Sequence, residues 1–232
     1  DRERANAITY EMACKLDSVI EEIISNNPGA IVVTGRGTFF TGGLDLKVVP
    51  TYSSEQQSAF LSVINRVISR FYSCSIPVIG AINGHAIAAG FMFTLTTDYR
   101  IGPMDNALFG LTEIRAGIPF PAAPMEILKA ELAPSDIRFT TLAAKNYGPE
   151  EALRRGVLDE LVPNEQVFER SLEVARDFSS MPADAYRRVK QQIRGSTIEI
   201  LNQLNQQESD PMLSTWLDPD ANAASKEILN GH

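Results

Sequence analysis

The stretch that most constrains what this chain can fold into is Ile76–Met92, IPVIGAINGHAIAAGFM. Its first part, Pro77–Ile82, is short, rich in Val and Ile, and bounded by turn signals, so it reads as a buried strand. Asn83-Gly84 is a turn pair, and Ala86–Leu95 is helix-permissive. Small residues at Ala86, Ala88, Ala89 and Gly90 let a ligand come close to the backbone. A helix starting there would aim unpaired N–H groups and the positive end of its dipole at that ligand. Such an arrangement holds an anion, or an oxygen that becomes one. It serves equally as a tight packing corner between strand and helix.

Around this stretch the chain alternates helix and short apolar strand. Thr9–Ser25 carries Met12, Leu16, Val19, Ile20, Ile23 and Ile24 at helical spacing, and Asn27-Pro28-Gly29 stops it. Ala30–Thr34 reads as a buried strand. Gly35–Lys47 follows with four glycines, a loop whose backbone either cradles a ligand or simply connects. Ser53–Phe71 is a second amphipathic helix. Asp98–Ile101 and Ala107–Gly110 are short strand-like segments, and Gly117–Pro124 is a rigid Pro-rich loop. Helices are expected over Met125–Leu132, Ser135–Leu142, within Gly148–Gly156, and over Gln166–Ser179 and Ala183–Gln207, with a strand at Val157–Val162. Asp210–His232 holds the single Trp216 and is read as a docking terminal helix. Two-thirds alternating and one-third helical argues an α/β chain, with its break near Pro163–Glu165 and no internal repeat visible.

Composition removes several function classes. A net charge of −8 argues against a nucleic-acid binder and against anionic membrane surfaces. No apolar run is long enough to span a bilayer. Cys14 and Cys74 have no metal or redox spacing and fit a reducing compartment. With only His85 and His232, a multi-histidine metal site is disfavoured. The abrupt opening at Asp1-Arg2-Glu3-Arg4 leaves room for a leading segment, so the expected compartment is cytoplasmic, or mitochondrial or peroxisomal for a processed eukaryotic chain.

The sequence has neither a Walker A motif nor a G-x-S-x-G elbow, and Gly84–Gly90 lacks dinucleotide spacing. His85 has a suitable ordinary pKa for a base, but its place in a turn favours a structural role. What remains is a carboxylate with backbone donors. Glu113 lies among Phe109, Leu111, Ile114, Ile118 and Phe120, so it should be partly desolvated and its pKa raised. Together with two glycine-rich turns, it reads as a base beside an oxyanion hole, the equipment for taking a proton next to a carbonyl and holding the enolate.

From Ile31 to about Val162 the chain resembles the crotonase superfamily, the enoyl-CoA hydratase/isomerase group. The resemblance rests on GRGTFFTGGLDLK, IPVIGAINGHAIAAGFM, DYRIG, ALFGLTEIRAGIPFP and GPEEALRRGVLDELVP in that order. It implies a spiral of repeated ββα units over residues 1–163, followed by a helical trimerisation region over residues 164–232. A homotrimer, or a hexamer of paired trimers, is implied too. The implied substrates are acyl-CoA thioesters of fatty acid metabolism and β-oxidation, with no cofactor beyond the substrate's own CoA and no metal.

By the same resemblance the oxyanion hole is the backbone N–H of Leu44 and of Ala89, where the family more often has Gly. Gly43, Asp45, Leu46 and Lys47 lie against CoA, and Arg36 and Lys47 are candidates for its phosphates. Hydratases of the family hold a water between two glutamates. One matches Glu113; the other falls at Met92. A single carboxylate suffices to move a double bond from C3 to C2, which makes the chain similar to the Δ3,Δ2-enoyl-CoA isomerases. Two alternatives stay open at this point. One is a hydratase whose second acid comes from Glu126, Glu131 or Asp136; the other is a non-catalytic acyl-CoA-binding member.

Overall fold

The computed structural model describes residues 5–207 and Asp210. Trp216 and the terminal helix expected around it lie outside the described residues. Two parallel sheets run through the fold. One orders β1 (Ile31–Thr34), β3 (Val78–Ala81), β5 (Tyr99–Pro103) and β7 (Glu160–Val162) as β1-β3-β5-β7. The other orders β2 (Phe39–Thr41), β4 (His85–Ile87) and β6 (Phe109–Gly110) as β2-β4-β6. Successive passes place one strand in each sheet and then a helix: α2 (Ser54–Ser73) after β2, α3 (Ala89–Thr96) after β4, and α4 (Ala122–Glu131) after β6. These are the repeated ββα units expected above. Their spacing in the chain is uneven, which is why no sequence repeat was visible.

The unbroken apolar run of β3 is explained by its position. It is the inner strand between β1 and β5, and all four of its residues are buried. One face packs on α7 (Val167–Ser179) through Ile79, Val167 and Val174, the other on the main core. A parallel strand covered on both faces has no polar side to alternate with.

α1 (Tyr10–Ser25) is capped by Thr9, whose hydroxyl accepts from the Met12 N–H at 3.2 Å, and it packs on α2. A reciprocal capping box between Ser53 and Gln56 starts α2. α5 (Pro134–Leu142), α6 (Pro149–Arg154) and α8 (Ala183–Asn205) complete the set, and α8 lies against α2 and α4.

β2 lies inside Gly35–Lys47, read above as a loop, α4 starts at Ala122 within the Pro-rich stretch, and a third difference from expectation is at β4. The helix read from Ala86 begins only at Ala89, because His85–Ile87 is a strand. Ala86 pairs with β2 at Thr41 and with β6 at Phe109, and these non-local pairings override the local helix preference of Ala and Ile. The chain turns from strand to helix at Ala88, with φ 52° and ψ −120°.

Candidate active site

β2, β4 and β6 end at one side of the fold, and the turns that follow them meet at a cavity of about 190 Å³. Its wall is apolar. α2 contributes Leu61, Ile64 and Ile68, α3 contributes Met92, and the Pro-rich loop contributes Ile118 and Phe120. Glu113 is the one titratable side chain among the described residues that line it.

Glu113 opens the single turn Glu113–Ala116 directly after β6. Its carbonyl accepts the Ile118 N–H at 3.0 Å, and Gly117 closes the turn at φ 70°, a conformation that favours glycine. The Oε2 atom is sealed from solvent and meets no hydrogen-bond partner among the described residues. Burial disfavours the charged form and raises the Glu113 carboxyl from 4.5 to about 7, slightly opposed by a backbone hydrogen bond.

The two glycine-rich stretches supply backbone donors beside it. Residues 43–45 run alongside Ile8: the Ile8 N–H donates to the Gly43 carbonyl, and the Asp45 N–H donates to the Ile8 carbonyl. Alternate residues of an extended chain face opposite ways, so the Leu44 N–H faces away from Ile8. It meets no acceptor among the described residues. Ala89 is the first residue of α3, and its N–H has no acceptor within the helix.

Gly43 locks the two turns together. It sits at φ +93°, and a Cβ there would lie 2.8 Å from the Ala88 Cβ and 3.3 Å from the Ala89 nitrogen. Ala88 holds a backbone conformation that residues with a Cβ seldom adopt, a strain of about 1–3 kcal/mol that sets the direction of the Ala88–Ala89 peptide.

The remaining sequence candidates are distributed as follows. Leu44, Leu46, Ala89 and Met92 line the cavity, and Met92 is buried. Asp45 is buried but caps its own turn, accepting the Lys47 N–H at 3.0 Å. Lys47 and Arg36 are exposed on either side of the loop. His85 stands outside the cavity. It accepts the Leu108 N–H through Nδ1, packs at a tilt against the Phe39 ring, and has its pKa lowered by burial.

The three alternative acids are engaged elsewhere. Glu126 pairs with Lys129, Glu131 with Arg100 and Arg194, and Asp136 with Arg155. The α2 wall carries no sequence signal as a site: Ile64 and Ile68 fall on one apolar face of an amphipathic helix, and nothing in periodicity separates a stripe facing a cavity from one facing a core.

A model of the enoyl-CoA hydratase/isomerase family matches residues 1–222. The chain belongs to that family. Among family members it is 27% identical to human mitochondrial enoyl-CoA delta isomerase 1 over 196 residues, covering 83% of this chain and 65% of the relative. It is 26% identical over 185 residues to a probable enoyl-CoA hydratase, EchA17, of Mycobacterium tuberculosis, covering 79% and 70%.

Solved family structures agree in fold. The enoyl-CoA hydratase EchA3 of Mycobacterium ulcerans superposes with a TM-score of 0.82 at 30% identity, over 88% of this chain and 89% of that one. The human mitochondrial delta3-delta2-enoyl-CoA isomerase gives a TM-score of 0.90 at 23% identity, over 98% and 89%. Among the described residues, no helix is long and apolar enough to cross a membrane.

Proposed function

We propose that the chain is an enoyl-CoA isomerase that converts 3-enoyl-CoA to 2-enoyl-CoA. The observation that carries this reading is Glu113: the one titratable side chain among the described residues on a largely apolar cavity, its Oε2 buried with no partner among those residues and its carboxyl raised to about 7. Such a group takes and returns a proton near neutral pH with little driving force lost in either direction.

In the proposed reaction the thioester oxygen accepts hydrogen bonds from the Leu44 and Ala89 N–H groups. Glu113 removes a proton from C2, and the C–H electron pair moves into a dienolate whose negative charge rests largely on that oxygen. The protonated Glu113 then returns the proton at C4, the C3=C4 bond becomes C2=C3, and the carboxylate is restored. A pair of such donors lowers the barrier by about 3–4 kcal/mol each in water-excluded sites.

Hydration asks for more: a held water and a second proton-transfer group. In the family's hydratases the second glutamate falls where this chain has buried Met92, and Glu126, Glu131 and Asp136 are paired away from the cavity. The balance of these features supports isomerisation over hydration. Gly43, Leu46 and the exposed Lys47 and Arg36 fit a CoA moiety entering along the Gly35–Lys47 segment.

The test is a paired assay with 3-hexenoyl-CoA and 2-hexenoyl-CoA, products separated by chromatography. Conversion of the first to the 2-enoyl ester, with little hydration of the second, is expected. Rapid hydration of the second would reject the single-base reading. Binding of both esters with no turnover of either would reject catalysis altogether.

A further inference from the structure

We propose that Arg115 is a positioning residue: by tying the Glu113–Ala116 turn to the carbonyls at the end of α5, it holds the Glu113 carboxyl in its dry setting. The turn is a single 3-10 turn of four residues, and no longer helix continues it. Its backbone is fixed at one end by β6 and at the other by the Ile118 N–H and Gly117. Between those points the Arg115 side chain reaches across to the 143–147 strap. Its Nε donates to the Ala144 carbonyl, and its terminal NH2 donates to the Ala143 carbonyl at 3.1 Å.

Those carbonyls sit at the C-terminal end of α5, where acceptors lack partners and the helix dipole is negative. A planar guanidinium satisfies both at once, and a lysine cannot reproduce the fork. The strap is itself anchored. Phe109 and Tyr147 exchange two backbone hydrogen bonds of 2.9 Å, and Ala144 adopts φ 46° to bring its carbonyl round. Arg115 therefore ties a short turn to a fixed frame.

The charged groups around Glu113 leave a clear prediction for the direction of change. No other titratable side chain among the described residues lines its cavity. On α5 and α6, Asp136 and Glu151 pair with Arg155. Arg138 of α5 and Lys145 of the strap point to solvent as exposed residues. If Arg115 acted by its charge, removing it would raise the Glu113 pKa. If it acts by holding the turn, removing it admits water and lowers that pKa.

The proposal rests on the reading of Glu113 as the base, so its test has an arm that needs no turnover. The free protein, labelled with 13C at the Glu side-chain carboxyl, is titrated by NMR, with Glu113→Gln identifying the resonance. The wild type should titrate near 7. Arg115→Met should titrate at least one pH unit lower, and Arg115→Lys between the two. Should Arg115→Met fail to fold, Arg115→Gln is judged by the same criterion.

In the paired assay, kcat for 3-hexenoyl-CoA should fall about tenfold or more in Arg115→Met with KM within about threefold, as for a displaced base. A Glu113 titration that stays put or moves up in the folded variant overturns the positioning role, as does a wild-type carboxyl of ordinary pKa. A downward shift in a protein that turns over neither ester sustains the positioning role while rejecting the isomerase reading.

Discussion

Replacing Glu113 by Gln should gain this protein stability relative to the wild type as the pH moves from acid to alkaline. In the fold the carboxyl titrates at about 7, against 4.5 when exposed. Between those values the folded state binds more protons than the unfolded state, so stability falls as pH rises through that window. Below it both states are protonated and the penalty is absent; above it the penalty is complete. At about 1.4 kcal/mol per pH unit, the gap amounts to about 3 kcal/mol. The amide carries a burial cost of its own, but that cost does not vary with pH. Urea unfolding at a series of pH values from 4 to 8.5, followed by far-UV dichroism, measures the difference directly. The variant's advantage should grow by about 3 kcal/mol from acid to alkali with m unchanged. Parallel profiles for the two proteins would refute the reasoning, since they would mean that Glu113 titrates alike in both states. The same substitution should cut turnover of 3-hexenoyl-CoA by about 10²–10⁴-fold while leaving ester binding within a few-fold, which an activity assay paired with calorimetry checks.

Three further outcomes follow from the same geometry. Met92→Glu places a second buried carboxyl in the cavity beside the first, where both cannot ionise. Isomerisation at pH 7 should fall at least about tenfold and hydration of 2-hexenoyl-CoA should appear, and product chromatography with neither change would count against Met92 as a water-excluding residue. Gly43→Ala forces a Cβ to within 2.8 Å of the Ala88 Cβ at a positive φ. It should cost about 1–3 kcal/mol in urea unfolding and at least about tenfold in kcat, and an active, fully stable variant would separate Gly43 from the Ala89 donor. Arg194→Met strips partners from Asp98 and from three buried carbonyls, and should destabilise by about 3–5 kcal/mol; a loss under about 1 kcal/mol in the same assay would contradict that account.

How much of this was legible beforehand depended on whether the determining contact was local. The β3 strand was legible because a run buried on both faces leaves its mark in four consecutive residues. The burial of the Glu113 carboxyl was legible because the apolar residues Leu111 and Ile118, both buried, are its chain neighbours. β4 was not, since Ala86 and Ile87 are strand only through partners far away in the chain at Thr41 and at Phe109 and Gly110. The α2 wall and the Arg115 tie were hidden for the same reason. Nothing in the local sequence marks Arg100, Lys190 and Arg194 as buried, yet all three are. Their partners Asp98 and Glu131 lie in other elements, so only the fold brings them together.

That buried charge layer bears on the candidate site through α3. A helix whose residues Gly90–Thr96 are all buried leaves its last carbonyls in a dry interior, where each unmet acceptor costs about 1–3 kcal/mol. Two guanidinium groups meet them. Arg100 donates to the Leu95 carbonyl, and Arg194 of α8 donates to the carbonyls of Thr96 and Thr97 at 3.2 and 2.9 Å, and to that of Tyr72 at the end of α2 at 3.3 Å. Asp98 in turn accepts from Lys190 at 2.6 Å and from Arg194 at 2.9 Å, so the cations are themselves compensated; burial still lowers the Lys190 pKa, with Asp98 opposing. The negative end of α3 is thus satisfied by side chains that α8 brings from the last third of the chain. Its positive end, starting at Ala89, has no such partner among the described residues and opens on the cavity beside Leu44. The asymmetry is a physical reason for the small residues at one end of α3 and the arginines around the other. It also gives α8 a role in seating the helix whose first N–H the proposed reaction uses.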